Sequence, residues 1–452
     1  EWGLREDVVE KDYVIGWVLW SIGADEALSA TWAFKGGTCL KKCFLETYRF
    51  SEDLDFTILP GGPIRAEEVS PILQRVLDRA NQQSGIVFTD RPPMLKTHAS
   101  GNYTEGRVYY RGPRNTPSVA SLKLDLSSSE KVVRPTVRRD ISHVYPDKLP
   151  EPATIRCYSF DEVFAEKIRA MGERSRPRDL YDIINLFRRP DLRGQPELIR
   201  QVLREKCESK GVPVPNYSSL ESSPFRADLV SEWENMLAHQ LPMLPTFEGF
   251  WNELPLLFDW LDGRAPAEQL ESLPPQEDTD ESWTPPSTVW TWGVGVPVES
   301  IRFAAANHLC VDLGYQGSIR RIEPYSFRRS KEGHTLLCVV KVETREARTY
   351  RLDRIKRIKV TSQPFRAVYR VEITGSGCLH VPLLTRPRAA SVSFVPGARS
   401  FRGPRMVYVI KCTGCGREFK RTTNNHTLRP HKGRGGWQCS SLTGYMLRTS
   451  YE

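Results

Sequence analysis

Residues 34–56 read FKGGTCLKKCFLETYRFSEDLDF, and the two ends of this stretch decide what the rest of the chain must build around them. Gly36 and Gly37 carry no Cβ, so a ligand can approach the backbone closely. Thr38 is placed to cap the helix that follows and to offer hydroxyl and amide donors to a phosphate. Fifteen residues beyond Thr38 the sequence turns to Asp53-Leu54-Asp55. Successive side chains on a strand alternate faces, so Asp53 and Asp55 project together while Leu54 points to the core. Two carboxylates on one face repel each other and call for a cation between them. Mg2+ or Mn2+ meets that need with oxygen ligands and leaves room for phosphate oxygens, as phosphoryl transfer requires. A third carboxylate stands in SLKLDLS, residues 121–127, where Leu122, Leu124 and Leu126 alternate with Lys123 and Asp125. If that strand lies beside the first, Asp125 completes the site.

The chain around this stretch has 452 residues, 39% of them hydrophobic and 26% charged, which is too long for one core and too apolar for a disordered chain. No apolar run approaches the roughly 18 residues a membrane span needs. The ten cysteines do not form a secreted framework. Most stand alone in apolar contexts, as at Cys157, Cys310 and Cys338, which fits buried thiols in a reducing compartment and an expected cytoplasmic location. The net charge of +9 conceals an asymmetry: residues 301–452 hold 29 Lys and Arg against 9 Asp and Glu, a balance of +20, so residues 1–300 carry −11. A basic part joined to an acidic part points to nucleic-acid contact by the former.

Helical patterns such as DEVFAEKIRAM alternate with strand-like runs such as SLKLDL over residues 1–262, which predicts a mixed α/β (α+β) domain. Residues 263–297 are rich in Pro and acidic side chains and read as a linker. HLCVDLGY, RRIEPYSFRR, HTLLCVVKVE and RAVYRVEI then predict a small β-barrel or sandwich over residues 298–384. A second linker at residues 385–404 isolates a module of residues 405–452 that is too small to fold without a staple. Cys412-x-x-Cys415 followed by Gly416 supplies two thiolates for one ion, with Cys439 downstream and His426 or His431 as fourth ligand. The spacing of Leu428, His431, Gly436 and Cys439 resembles compact zinc ribbons and selects His431 for a Zn2+ site.

Gly-Gly-Thr followed by Arg49-Phe50-Ser51-Glu52-Asp53-Leu54-Asp55 resembles the signature of the AbiEii nucleotidyltransferase toxins, members of the DNA polymerase β-like superfamily. The text FDEVFAEKIRAMGERSRPRDLYDIINL is similar to that family's second block, and the likeness runs from about Val8 to Trp260. In residue terms, Ser159 with Glu162 predicts a capping box, Lys167 and Arg174 share a helix face, and Pro177 suits a first helical turn. Leu180, Ile183, Ile184 and Phe187 then face the core, flanked by Asp179 and Asp182. The resemblance implies an NTP substrate, with Lys167 holding the triphosphate and Asp179 or Asp182 supporting the site. Lys35, Gly36, Gly37, Thr38 and Ser51 complete the nucleotide-binding set, and Asp53, Asp55 and Asp125 form the catalytic, Mg2+-binding set. It further implies a bacterial toxin–antitoxin or phage-defence role, a cognate antitoxin, and an RNA acceptor, tRNA in particular. A protein hydroxyl as acceptor, or a nucleic-acid-sensing regulator with a non-catalytic scaffold, are the alternatives.

Residues 299–365 resemble a WYL domain, an Sm/SH3-like barrel, through Tyr315 with Gly317, Arg321-Ile322-Glu323-Pro324-Tyr325 and Arg351-Leu352-Asp353-Arg354-Ile355. Arg forks bind phosphate and Tyr rings stack on bases, so Tyr315, Arg321, Tyr325, Arg351, Arg354 and Arg357 form the expected nucleic-acid surface.

Overall fold

The computed structural model describes residues 4–45, 49–264, 270–274, 279, 298–373, 406–421, 426–432 and 438–451. The chain divides into two compact units, residues 1–380 and 381–452.

The first unit is built on a mixed seven-stranded sheet. Its strands are β1 (Trp32–Lys35), β2 (Asp53–Ile58), β3 (Met94–Thr97), β4 (Tyr103–Tyr110), β5 (Ala120–Ser127), β6 (Val137–Asp140) and β7 (Thr154–Cys157), in the order β3-β4-β5-β2-β1-β7-β6. Alternation in the sequence sets its two faces. Leu54 and Phe56 of β2 and Leu122, Leu124 and Leu126 of β5 are buried, so the intervening polar residues lie on the opposite face. β2 runs parallel to β5 with Asp55 beside Asp125, and antiparallel to β1 with Asp55 opposite Lys35. The condition under which Asp125 joins the site, the two acidic strands lying side by side, is thus met, and the mixed α/β class of this domain holds.

Helix Glu6–Gly23 is apolar on most sides and correspondingly sunk in the core. Helices Phe160–Arg174 and Pro177–Phe187 meet at Ser175, which takes a left-handed conformation, and Pro177 starts the second helix. Ser159 caps the first helix by accepting from the Glu162 amide, but the expected reciprocal half of the box is absent. The Glu162 carboxylate instead accepts from the amides of Val133 and Arg134 and pairs with Lys206 at 2.7 Å. A buried carboxylate gains more from a cation and two donors than from one local amide.

The region after residue 298 starts with helix Val298–Ala306 and continues as β8 (Leu309–Tyr315), β9 (Ser318–Arg329), β10 (Thr335–Lys341), β11 (Ala347–Arg351) and β12 (Ile355–Pro364). These five antiparallel strands run in the order β11-β10-β9-β8-β12. Ile301, Phe303, Ala304 and Ala305 share one hydrophobic core with Leu257, Phe258 and Trp260 of the preceding domain. Arg188 adds a polar tie, pairing with Glu253 and donating to the Ala306 carbonyl at 3.4 Å.

The stretch read as an unstructured linker is partly built into this body. Ser272 bridges to Arg370, and Leu273 is buried among Cys310, Tyr325, Cys338, Val340 and Phe365. One large apolar side chain with backbone pairing on either side suffices to dock a polar segment.

The second unit has three antiparallel strands, β13 (Met406–Cys412), β14 (Glu418–Arg421) and β15 (Gly444–Tyr451), in the order β14-β13-β15. Among the described residues its buried apolar cluster is Ile410, Cys412 and Leu428, with Val409 also buried, a core that cannot by itself offset the entropy of ordering the segment.

Candidate active site and Cys/His centre

The polar face of β1, β2 and β5 carries the candidate active site. Gly36 follows β1 with φ +80°, and a Cβ on it would fall 2.5 Å from the Asp55 carboxylate, so only glycine fits both the turn and the close approach. Gly37 is constrained by space alone: a Cβ there would lie 2.5 Å from Arg49 Nη2 and 3.1 Å from Ser51 Oγ. The two ends of the 34–56 stretch are thus folded against each other.

Thr38 does not cap the turn. Lys35 occupies the N-cap position, and the buried Thr38 hydroxyl donates to the Asp53 carbonyl at 2.5 Å and lies 2.9 Å from Ser51 Oγ. It fixes β2 to the turn, which removes its hydroxyl from the expected phosphate donors. Lys35 pairs with Glu130 at 2.5 Å.

Asp53 and Asp55 share the face with Asp125, whose two oxygens are both engaged. Tyr103 donates its hydroxyl to one at 2.9 Å, and Lys123 reaches the other at 2.5 Å. Burial pushes the Asp55 carboxyl up to about 6; Asp53 and Asp125 add to the rise, and Lys35 and Lys167 oppose it. A carboxylate held so far above its ordinary range by burial and by acidic neighbours is the environment a divalent cation relieves. Together with the cradle left by Gly36, this donor set fits Mg2+ or Mn2+.

A buried charge cluster adjoins the Gly36–Gly37 turn. Arg49 grips Asp182 with two bonds of 2.8 and 2.9 Å and donates to Gln240 at 3.0 Å. Lys167 stands 2.7 Å from Asp182 and 3.7 Å from Asp179, and Arg174 forks onto Asp179 at 2.8 and 2.9 Å. Both aspartates are fully buried. Burial raises the Asp182 carboxyl, but Arg49 and Lys167 outweigh it and hold the group well below the usual carboxylate range. The ammonium of Lys167 thus pairs with both aspartates of this cluster, and its charge also acts on the Asp55 carboxyl.

Sequence reading passed over Arg49, Tyr103, Lys123 and Glu130. Lys123 shares the parity of Asp125, and Arg49 opens the Arg-Phe-Ser-Glu-Asp-Leu-Asp motif, so each had a local signal. Tyr103 and Glu130 act through pairing across distant strands and had none.

On the later sheet, Tyr325 is completely buried, its hydroxyl donating to Glu323 at 3.1 Å. It packs against Phe365 and Tyr369, so it cannot stack on a base and leaves the expected nucleic-acid surface. Arg321 forks onto Asp312 at 2.7 and 3.0 Å, and Arg351 onto Asp353 at 3.1 and 2.6 Å. Arg354, Lys356, Arg357 and Lys359 are exposed along β12 and the turn before it. Half-buried Tyr315 lies edge-on to Tyr350 with Arg320 5.8 Å above its ring.

In the second unit the side chains of Cys412, Cys415, His431 and Cys439 converge, all four ligand atoms lying within 4.8 Å of one another. Cys412 and Cys439 sulfurs are 3.6 Å apart, and Cys415 Sγ is 3.3 Å from His431 Nε2. A tetrahedral ion with bonds of about 2.3 Å to sulfur and 2.0 Å to nitrogen needs edges of about 3.8 and 3.5 Å. His431 Nδ1 lies 2.9 Å from the Arg429 carbonyl, which orients the ring with Nε2 toward the sulfurs. Of the two histidines left open by the sequence, His431 joins the cluster.

Residues 17–260 match the protein-family profile described as nucleotidyl transferase AbiEii toxin, type IV TA system. No curated protein matches the chain in sequence. Among solved structures it is similar to MenT4, a nucleotidyltransferase toxin from Mycobacterium tuberculosis H37Rv, at 19% identity and TM-score 0.38, over 57% of this chain and 84% of that one. A second is an antigenic nucleotidyltransferase-like protein from Paracoccidioides brasiliensis, at 14% identity and TM-score 0.26, over 49% and 95%. Proteasome accessory factor B/C of Arthrobacter aurescens matches at 14% identity and TM-score 0.14, over 62% and 41%.

Proposed function

The chain belongs to the AbiEii nucleotidyltransferase toxins of type IV toxin–antitoxin systems, and from that premise we propose that it transfers a nucleotide from an NTP to an RNA acceptor, tRNA in particular. Membership makes it a nucleotidyltransferase, whose class uses an NTP and a divalent metal, and implies a cognate antitoxin. The observation that carries the reading is the convergence of Asp53, Asp55 and Asp125 on one face, beside a glycine turn that leaves space for a ligand.

Asp53 and Asp55 would hold Mg2+, which when bound neutralises charge on the phosphates. Asp125 is the base or orienting group for the acceptor hydroxyl; Tyr103 and Lys123 fix both its oxygens, so its aim is set before substrate arrives. The acceptor oxygen attacks the α-phosphorus, a bond to it forms, and the bond to the bridging oxygen breaks to release pyrophosphate. Backbone at Gly36 and Gly37, with Lys35 and Ser51, lines the path of the leaving phosphates. Asp182, paired with Lys167, supports the site by locking Arg49 and hence the strand that carries Asp53, and Lys167 links this pair to Asp179.

We read residues 298–384 as a WYL-like, Sm-like barrel and the exposed Arg354 to Lys359 stripe as the acceptor's backbone contact. We read the Cys412, Cys415, His431 and Cys439 centre as a Zn2+ site that staples the last unit. A place in phage defence follows the same reading. The test is incubation with Mg2+ and each α-labelled NTP, offering total tRNA and total protein as acceptors. Label on tRNA supports the proposal; label on protein alone refutes its acceptor.

A further inference from the structure

Cys157, expected as an isolated buried thiol, has company. Its side chain lies with those of Cys39 and Cys43, the three sulfurs within 4.8 Å of one another and each side chain fully buried. Two of the three come from the turn of helix that follows Gly36–Thr38, and the third ends β7. The junction they span is narrow: β1 and β7 pair through Phe34 and Cys157, with the Tyr158 amide donating to the Phe34 carbonyl at 3.0 Å.

One cation sits at the cluster's edge. Val137 pairs with Cys157 and Arg139 with Ile155, so Arg139 and Cys157 share a sheet face. Arg139 donates through Nε to the Cys43 carbonyl at 3.3 Å and stacks over Phe44 at 4.9 Å. Its Nη2 is buried without a hydrogen-bond partner. A buried guanidinium N–H left unpaired beside three cysteine side chains is an energetic fault, since buried donors are almost always satisfied. Three thiolates around a divalent ion carry a net charge of −1, and that anion would repair the fault.

We propose that Cys39, Cys43 and Cys157 form a second metal site, a trithiolate centre for a thiophilic d10 ion such as Zn2+, beneath the active-site turn. Thiolate ligands select such ions. On binding, three metal–sulfur bonds form and the thiol protons leave to solvent, with no change of oxidation state. The sulfurs need to close by at most about 1 Å to reach the roughly 4 Å edge that 2.3 Å bonds impose. The ion would clamp the turn carrying Gly36–Thr38 to β7. Because the thiols are sealed, it would be taken up as the chain folds.

The test uses the full chain carrying C412S and C439S, which disables the other Cys centre. The protein is produced in zinc-supplemented medium under reducing conditions, washed with chelator, and its zinc measured. One equivalent is expected, exchangeable for Cd2+ with a thiolate-to-metal absorption band in the ultraviolet. Adding C157A, or C43A if that variant does not fold, should abolish both, whereas C310A should leave both intact. Arg139→Met should weaken retention by about 10- to 100-fold, as loss of an outer-sphere partner does. Zinc below about a tenth of an equivalent in the parent variant overturns the proposal, as does zinc that survives both C157A and C43A. A thiol count two short without metal overturns it too, by showing a disulfide instead.

Discussion

Asp55 is the residue where structure and chemistry pull hardest against each other. Its carboxyl is raised to about 6, above its value in an unfolded chain. Between the ordinary carboxyl range and about pH 6 the native state therefore keeps a proton that the unfolded chain has lost. Stability of the metal-free protein falls as pH rises through that window and stays lower above it. Asp55→Asn removes the penalty, so at pH 7.5 without metal it should melt higher than the parent, by roughly 1–3 kcal/mol, and the gap should close toward pH 4. Mg2+ should raise the melting temperature of the parent and not of the variant. Thermal unfolding at the two pH values checks both. Asp53 and Asp55 were legible in the sequence because alternation on one strand needs only local information. The ordinary fates of Thr38 and Lys167 were not, because their partners, Ser51 and Asp182, approach only in the folded state.

At the scale of elements, the turn from helix Phe160–Arg174 to helix Pro177–Phe187 is pinned by Arg174 on Asp179 and by Arg49 and Lys167 on Asp182. Removing one member of a buried ionic group leaves the others charged and unpaired. Asp182→Ala should thus cost about 3–5 kcal/mol in denaturant unfolding, far more than truncation of the half-exposed Asp53. A melting curve for Asp182→Ala matching that of the parent would remove this cluster from the set of supports. The helices themselves could be read from their periodicity, Leu180, Ile183 and Ile184 being fully buried as the pattern required. The seven-stranded order could not, since β1, β2 and β5 become neighbours through pairings that no local signal encodes. Docking of Leu273 was hidden for a related reason: composition marks a segment as polar and says nothing of one anchoring side chain.

For the whole molecule, the charge asymmetry is plain in the sequence, but its distribution is not, because Arg321 and Arg351 are already ion-paired and Tyr325 is core. Among the described residues, Arg354, Lys356, Arg357 and Lys359 form an exposed stripe open to a polyanion. Arg354→Gln with Arg357→Gln should lower the slope of log affinity against log salt for RNA by about 1.4, two contacts at about 0.7 each for a single strand, and leave nucleotide binding unchanged. Cutting the chain after residue 262 is a poorer test, since helix Val298–Ala306 shares the core of the catalytic domain. The last unit can be tested separately: C412S with C439S should remove one equivalent of zinc and melt residues after 404 without shifting the main unfolding transition. No helix among the described residues is long and apolar enough to cross a membrane. The most direct test of transfer at the Asp53, Asp55 and Asp125 face follows the two ends of one substrate, with NTP labelled at the α- or the γ-phosphate and Mg2+ and tRNA present. The α label should enter tRNA while the γ label leaves as pyrophosphate, and Asp53→Ala, folded by circular dichroism, should abolish both. Transfer of the γ label to the acceptor, or undiminished α transfer by Asp53→Ala, would contradict nucleotidyl transfer at this site.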